Sequence, residues 1–119
     1  MKKRIQAFGH AFRGIAIGFR REVHMRIHFV LAFVALTAAW FFQISKMEWI
    51  AVLLCIAMVF AAEMLNAAVE HLANRVNREY DPEIGAVKDI AAGAVLIAAL
   101  FALTVGCIIY LPYLWDYLT

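Results

Sequence analysis

The sequence predicts an all-α integral membrane protein in which an N-terminal amphipathic surface helix precedes three transmembrane helices. Of its 119 residues, 66% are hydrophobic and 17% are charged, whereas about 25% of the residues of a soluble globular domain are charged. The apolar residues fall into three long runs, and each is close to the length that a helix needs to cross a hydrocarbon core of roughly 30 Å. We expect one membrane domain covering residues 1–119.

Residues 1–25 predict the surface helix. Large apolar side chains recur there at three- and four-residue spacing, with the basic residues mostly on the other face: Ile5, Phe8, Phe12, Ile15 and Phe19. A helix with this pattern lies in the plane of the membrane interface. Seven of the eleven Lys and Arg residues precede residue 27, and such an excess marks the cytoplasmic side of a membrane protein. The pattern therefore predicts a cytoplasmic N-terminus.

The three predicted transmembrane helices cover residues 27–44, 49–77 and 88–111. Residues typical of a membrane interface follow the third helix and predict an outer aromatic belt: Pro112, Tyr113, Trp115 and Tyr117. Three crossings from a cytoplasmic N-terminus place the C-terminus outside.

The segment between the second and third spans is predicted to be a cytoplasmic loop, because it contains the turn signal Asp81-Pro82. Asp89 is then expected close to the N-terminus of the third helix, where a carboxylate interacts favourably with the helix dipole. Glu22 precedes the first span, and its position alone favours a surface carboxylate.

A stripe of polar side chains follows the second span. At about 100° per residue its members fall within an arc of roughly 60 to 80°, and they are Glu63, Asn66, Glu70, Asn74 and Asn77. With the outer boundary at Trp49, Glu63 lies roughly 20 Å into the apolar layer. A carboxylate there is costly unless it is paired, protonated or facing a wet cavity. Glu63 is therefore a candidate functional residue, and the alternative is a protonated glutamic acid hydrogen-bonded between helices.

Three helices do not easily enclose five polar side chains, so the stripe predicts shielding by partners, most simply in a homo-oligomer.

The polar residues at the inner interface indicate phosphoryl transfer. Glu22 and Glu70 come from different helices, and two carboxylates can chelate Mg²⁺ together with phosphate oxygens. A lysine such as Lys88 can offset phosphate charge, and Glu63 can accept a proton from a lipid hydroxyl. The sequence contains no P-loop and no protein-kinase motif, which excludes the soluble kinase classes. A proton- or cation-coupled transporter that titrates Glu63 remains an alternative on these residues alone.

Residues 63–98 resemble the signature of the small prokaryotic diacylglycerol kinase family. The shared features are a Glu-x-x-Asn-x-x-x-Glu stretch, a Glu-Tyr pair, and Lys-Asp before a helix rich in Ala and Gly. The likeness extends along nearly the whole chain, through Gly9, Gly14, Glu22, Arg26, Ile27, His28, ISKMEWI at 44–50 and IYLP at 109–112. Its last stretches are most similar to the undecaprenol kinase branch.

The resemblance implies an ATP- and Mg²⁺-dependent lipid kinase, with undecaprenol preferred to diacylglycerol as the substrate. It also implies a homotrimer with shared active sites in the bacterial inner (plasma) membrane, and an active site at the cytoplasmic face. In the family pattern Glu63 matches the catalytic base and Asn66 lies beside it. Glu22 and Glu70 match the carboxylates that hold the metal of Mg-ATP.

Further residues of this chain match nucleotide and lipid contacts of the family. The implied nucleotide-site residues are Lys3, His10, Asn74, Glu79, Tyr80, Asp81, Lys88 and Asp89, and the implied lipid contacts are Phe12 and Arg26. Three positions depart from the family pattern: Asn74 replaces an aspartate, Asp81 a histidine and Lys3 an arginine. Because Asn74 removes a charge close to the metal, an inactive or regulatory membrane subunit is a second alternative.

Overall fold

In a computed structural model of the chain, which describes residues 1–76, 79 and 81–119, the protein is helical. The described residues form four helices, α1 (Lys2–Arg21), α2 (Val23–Phe42), α3 (Lys46–Val76) and α4 (Pro82–Leu118). By length and composition, α2, α3 and α4 can each cross a membrane. The prediction of an all-helical membrane protein with three spans is confirmed, whereas the boundaries of the helices differ from the predicted ones.

Helix α1 buries none of its residues. Three of its large apolar side chains, Ile5, Phe8 and Phe12, are 68 to 70% exposed, so this apolar face of α1 is free to contact a membrane. The helix ends at Arg21, four residues before the predicted end, because Glu22 is extended with φ −105° and ψ 115°. This single extended residue lets α2 start in a new direction at Val23.

Gly18 brings the last turn of α1 against the bundle. An added Cβ atom at Gly18 would lie 3.8 Å from the side chain of Met25 and 4.0 Å from that of Met64. Met25 is also the largest fully buried side chain among the described residues. A small residue here permits close approach of helices, and it fixes where α1 meets α2 and α3.

The turn between α2 and α3 is tighter than predicted. Gln43 adopts the left-handed conformation with φ 50° and ends α2. The side chains and backbone amides of Ser45 and Glu48 then bond reciprocally, at 2.9 and 3.2 Å, which is the capping box that starts a helix. Helix α3 therefore begins at Lys46, three residues before the predicted start at residue 49.

Helix α4 is longer than predicted at both ends. Asp81 caps it by accepting a hydrogen bond of 2.8 Å from the backbone amide of Glu83, and Pro82 occupies a first helical position, where proline is favoured. The predicted loop up to residue 87 is therefore partly helical, and the expectation that Asp89 lies at the helix N-terminus is wrong. The helix also continues through Pro112, past the predicted end at residue 111.

The most extensive packing in the described chain joins α3 to α4. A small core of Ala39, Ile44, Val52 and Ile109 lies at the end of the bundle that carries the α2–α3 turn, and we call this end the turn end. There Tyr110 donates a hydrogen bond of 2.6 Å to the carbonyl oxygen of Ala35. Most large apolar side chains are exposed, as expected for surfaces that face lipid or other subunits.

An apolar groove of about 520 Å³ runs between α2, α3 and α4. His28 lies among its lining residues on α2, and Tyr110 lies among those on α4. The other lining residues are almost all aliphatic or aromatic. The groove therefore leads from the turn end toward the polar side chains of α3.

Candidate active site

The polar chemistry of the chain is concentrated at one end of the bundle. The extended residue Glu22, the last turns of α3 and the first turns of α4 meet there through side-chain hydrogen bonds. We call this region the polar end. Glu63 lies about 10 Å deeper than Glu70 along α3, because a helix rises about 1.5 Å per residue.

Glu63 is buried and paired with a histidine of another helix. Glu63 is 6% exposed. Among the described residues, no other polar or charged residue is buried. The Nε2 atom of His28 lies 3.0 Å from Oε1 of Glu63. An ionised carboxylate only accepts hydrogen bonds, so Nε2 donates when Glu63 is charged. A carboxylate at this depth was predicted to need a partner, and His28 of α2 is that partner.

Asn66 lies one turn from Glu63 on the same face of α3. Its side-chain oxygen is buried and has no hydrogen-bond partner within the described residues. A buried acceptor without a partner is costly, and such an atom in a native protein points to a functional role. Glu63 and Asn66 therefore place two buried acceptors one turn apart on the same face of α3.

Glu22 is held by a second histidine. Nε2 of His71 lies 3.0 Å from Oε1 of Glu22, so the break between α1 and α2 is joined to α3. Glu70 is exposed and makes no hydrogen bond or ion pair with the described part of the chain. Its sequence neighbour His71 contacts Glu22, which places the two predicted metal carboxylates at the same end of the bundle.

No cluster of three or more His, Cys, Asp or Glu side chains that could hold a metal occurs among residues 1–76, 79 and 81–119. A cation at Glu22 and Glu70 would therefore need further oxygen ligands from a bound molecule or from water. Mg²⁺ commonly binds in this way, through one or two carboxylates together with phosphate oxygens. The residues present fit such an ion.

Asn74 and Lys88 join α3 to α4 at the polar end. The Nζ atom of Lys88 donates a hydrogen bond of 2.5 Å to the side-chain oxygen of Asn74. Lys88 is thereby oriented toward the polar stripe of α3 even though an amide replaces the aspartate of the family pattern. Asp89 follows it on α4, is exposed, and makes no hydrogen bond or ion pair in the described chain.

The remaining predicted residues lie outside this set of contacts. Lys3, His10 and Phe12 are exposed on α1, and Arg26 is exposed in the first turn of α2. None of them forms a hydrogen bond or ion pair with the described residues of the polar end. Asp81 caps α4, and Glu79 is exposed beside it. The predictions for Asn77 and Tyr80 fall outside the described residues.

Both histidine partners were missed by sequence analysis. His28 lies 35 residues before Glu63, and His71 lies 49 residues after Glu22. Spacing within one helix gives no information on such pairs, because they depend on how α2 and α1 are rotated against α3. For His28 the sequence held one signal, because the family resemblance includes this histidine together with Glu22 and Arg26.

The fold and these contacts define a class of protein: a small helical membrane protein with a paired carboxylate buried beneath a polar end. Residues 9–110 match the family described as prokaryotic diacylglycerol kinase. The chain belongs to this family, and it is a lipid kinase by that membership, as the resemblance of residues 63–98 implied.

Two relatives show how far the similarity extends. Over 109 residues the chain is 35% identical to the undecaprenol kinase of Bacillus subtilis, and the alignment covers 92% of this chain and 89% of that protein. Over 113 residues it is 27% identical to the diacylglycerol kinase of Escherichia coli K12, with 95% and 89% covered. The similarity therefore spans all four helices.

Proposed function

We propose that this protein transfers the γ-phosphoryl group of ATP to the hydroxyl of a membrane lipid alcohol, with undecaprenol preferred to diacylglycerol. The observation that carries the proposal is the buried Glu63, bonded to His28 and one turn from the unpartnered Asn66. It lies where the apolar groove approaches the polar end. The preference for undecaprenol is supported by the higher identity to the undecaprenol kinase.

In the proposed reaction Glu63 is the general base. The lipid hydroxyl loses its proton to the free carboxylate oxygen of Glu63 while its oxygen forms a bond to the γ-phosphorus. The bond between the γ-phosphorus and the β,γ-bridging oxygen breaks, and ADP leaves. Asn66 contacts the same hydroxyl and orients it. Correct positioning of the proton acceptor is worth about 10²- to 10⁴-fold in rate.

The phosphates of ATP are bound at the polar end. Glu22 and Glu70 would hold Mg²⁺ there, and such an ion would supply positive charge against the β- and γ-phosphates. Lys88, oriented by Asn74, offsets charge on the phosphoryl group in transit. Further nucleotide contacts come from Glu79, Tyr80, Asp81 and Asp89. Helix α1 contributes two more, from Lys3 and His10. Phe12 and Arg26 contact the lipid where it enters.

We further propose a homotrimer in the bacterial plasma membrane, with the N-terminus and the active site cytoplasmic. The exposed apolar surfaces of α2, α3 and α4 and the unpartnered Glu70 and Asp89 support shared sites between subunits. The transporter alternative has no support in the family to which the chain belongs. The Asn74–Lys88 hydrogen bond argues against an inactive subunit, because it keeps the lysine in place.

The test is phosphate transfer from labelled ATP by the purified protein in mixed micelles, with undecaprenol and diacylglycerol supplied separately and Mg²⁺ present or absent. We expect Mg²⁺-dependent labelling, stronger for undecaprenol. Glu63→Gln should bind ATP normally and lose turnover. Glu83→Gln is the matched control, because Glu83 is an exposed glutamate whose side chain makes no hydrogen bond or ion pair in the described chain. Turnover by Glu63→Gln close to that of the control would overturn the assignment of the base.

A further inference from the structure

His28 is the residue through which the apolar groove meets the buried carboxylate. It lines the groove, and its Nε2 atom lies 3.0 Å from Oε1 of Glu63. Glu63 itself is not among the groove-lining residues, and the exposed fraction of its side chain is 8%, against 19% for His28. A molecule in the groove therefore meets the imidazole before it meets the carboxylate.

A charged Glu63 depends on this contact. Its oxygen Oε1 has a hydrogen-bond partner in His28, and the described residues supply no second side-chain donor to it. A carboxylate in an apolar layer is costly unless donors surround it. Without the imidazole, the described residues would leave this buried carboxylate with no hydrogen-bond donor.

The same contact fixes the orientation of the carboxylate. A glutamate side chain has several rotamers, and one hydrogen bond from a second helix selects among them at a cost in side-chain entropy. With Oε1 bound to His28, Oε2 remains free, and Asn66 follows one turn along α3. A hydroxyl that arrives along the groove thus finds an unoccupied acceptor in a set place.

We propose that His28 is a positioning residue for the phosphoryl transfer, one that donates from Nε2 to Oε1 of Glu63 and so keeps this buried carboxylate paired and aimed at the lipid hydroxyl. This inference rests on the proposed function. The proton of the hydroxyl goes to Oε2 of Glu63, and the proton on Nε2 stays with His28 throughout. His28 therefore acts as a donor and neither gains nor loses a proton in the step.

This role can be separated from that of a proton carrier by side-chain geometry. The amide nitrogen of glutamine occupies nearly the position of Nε2 of histidine, whereas that of asparagine occupies the position of Nδ1. His28→Gln keeps the donor to Glu63 and cannot carry a proton. His28→Asn and His28→Leu both lose the donor. We expect turnover close to that of the parent protein for His28→Gln and a reduced turnover for the other two.

The expected loss for His28→Asn and His28→Leu is on the order of 10- to 100-fold in kcat, the effect of a lost hydrogen bond to a charged group. The KM value for ATP should stay within about 3-fold, because no nucleotide contact is removed. His24→Leu is the matched control, since His24 lies one turn earlier on α2, is exposed, and has no hydrogen bond in the described chain. Melting temperatures of all variants identify any that are simply misfolded.

A second measurement keeps the inference testable if the protein proves not to be a kinase. The chain has four histidines, and the ¹⁵N signals of their imidazole rings can be recorded in lipid nanodiscs, with His28 assigned by its loss in His28→Gln. We expect the His28 signals to move in Glu63→Gln and to stay in Glu83→Gln. If no lipid is phosphorylated but the signals move, the proposed function fails and the hydrogen-bonded pair stands.

Two results would overturn the inference. One is an active protein in which His28→Leu turns over as fast as His24→Leu. The other is an active protein in which His28→Gln turns over as slowly as His28→Leu. A hydrogen-bond donor at the position of Nε2 would then not be sufficient for turnover. A double variant, His28→Leu with Glu63→Gln, should be no slower than Glu63→Gln alone, because His28 acts through Glu63.

Discussion

His71 and Glu22 are joined by a contact of 3.0 Å between Nε2 and Oε1, although 49 residues separate them in the sequence. Glu22 is the single extended residue between α1 and α2, and a residue in such a break would have a mobile side chain without an external partner. The histidine fixes it against α3, at the end of the bundle that also carries Glu70. One carboxylate of the proposed Mg²⁺ site is thereby positioned before the ion arrives.

Removing this histidine should weaken the binding of Mg²⁺. In His71→Ala, Glu22 loses the hydrogen bond that orients it, and we expect the Mg²⁺ concentration for half-maximal activity to rise by about 10-fold, as is found for outer-shell partners of metal ligands. The measurement is a Mg²⁺ titration at saturating ATP and lipid, with His24→Ala as the control. A half-saturating concentration that is unchanged or lower would contradict the prediction.

An aspartate at position 74 should change the contact to Lys88 from a hydrogen bond between a charged and a neutral group to an ion pair. Because both side chains are at the protein surface, the gain in free energy of unfolding should stay below about 1 kcal/mol. We expect Asn74→Asp to lower the Mg²⁺ requirement, since it adds a carboxylate at the polar end. Lys88→Met is made both in the parent protein and in Asn74→Asp, and the difference between its two effects on the free energy of unfolding measures the coupling between positions 74 and 88. Equal losses of stability in the two proteins would show that no ion pair forms.

A bulky side chain at Gly18 should displace α1 from the bundle. Its Cβ position lies 3.8 to 4.0 Å from Met25 and Met64, so Gly18→Ala is tolerated, whereas Gly18→Leu overpacks this contact at a cost of about 1 to 3 kcal/mol. Thermal unfolding in detergent measures the effect. Gly9→Leu is the control, because nothing lies within 4 Å of the corresponding position. Equal stability of the two leucine variants would argue against close packing of α1.

The tyrosine and glutamate of the turn end should contribute to stability and leave activity unchanged. The hydroxyl of Tyr113 donates a hydrogen bond of 2.5 Å to Oε1 of Glu48, and this pair is at the end of the bundle opposite Glu22. We expect Tyr113→Phe to melt at a lower temperature and to keep the kcat of the parent protein. Tyr117→Phe, whose hydroxyl has no hydrogen bond among the described residues, serves as the control. A fall in kcat without a fall in melting temperature would contradict this assignment.

The helices could be predicted because they depend on local and compositional signals. Apolar runs identified three spans. Two helix starts differ from the prediction although the sequence contains a local signal for each: the Ser45-x-x-Glu48 capping box of α3 and the Asp81-Pro82 start of α4. The break at Glu22 is different. Neither glycine nor proline occurs there, and the extended conformation depends on the packing of Gly18 and on the bond from His71, which are both tertiary contacts.

Of the candidate site, the sequence predicted the residues that α3 contributes and missed the histidines that contact Glu63 and Glu22. The polar stripe of α3 follows from helical periodicity, and it contains Glu63, Asn66 and Glu70. The groups that face it come from other helices, and their identity depends on the rotation of α2 and α1 about their axes. Periodicity within α3 carries no information on that rotation, so His28 and His71 became visible only in three dimensions.

The apolar groove between α2, α3 and α4 has a consequence for how the reaction is measured. Helices α2 and α4 pack against each other far less than α3 and α4 do, and the groove that reaches His28 lies between them. We therefore expect the lipid to enter it sideways, from within the bilayer. For such a kinase the volume of the aqueous sample does not set the supply of lipid. The surface density of the alcohol does, and diluting it with inert lipid should slow turnover even when its total amount is constant.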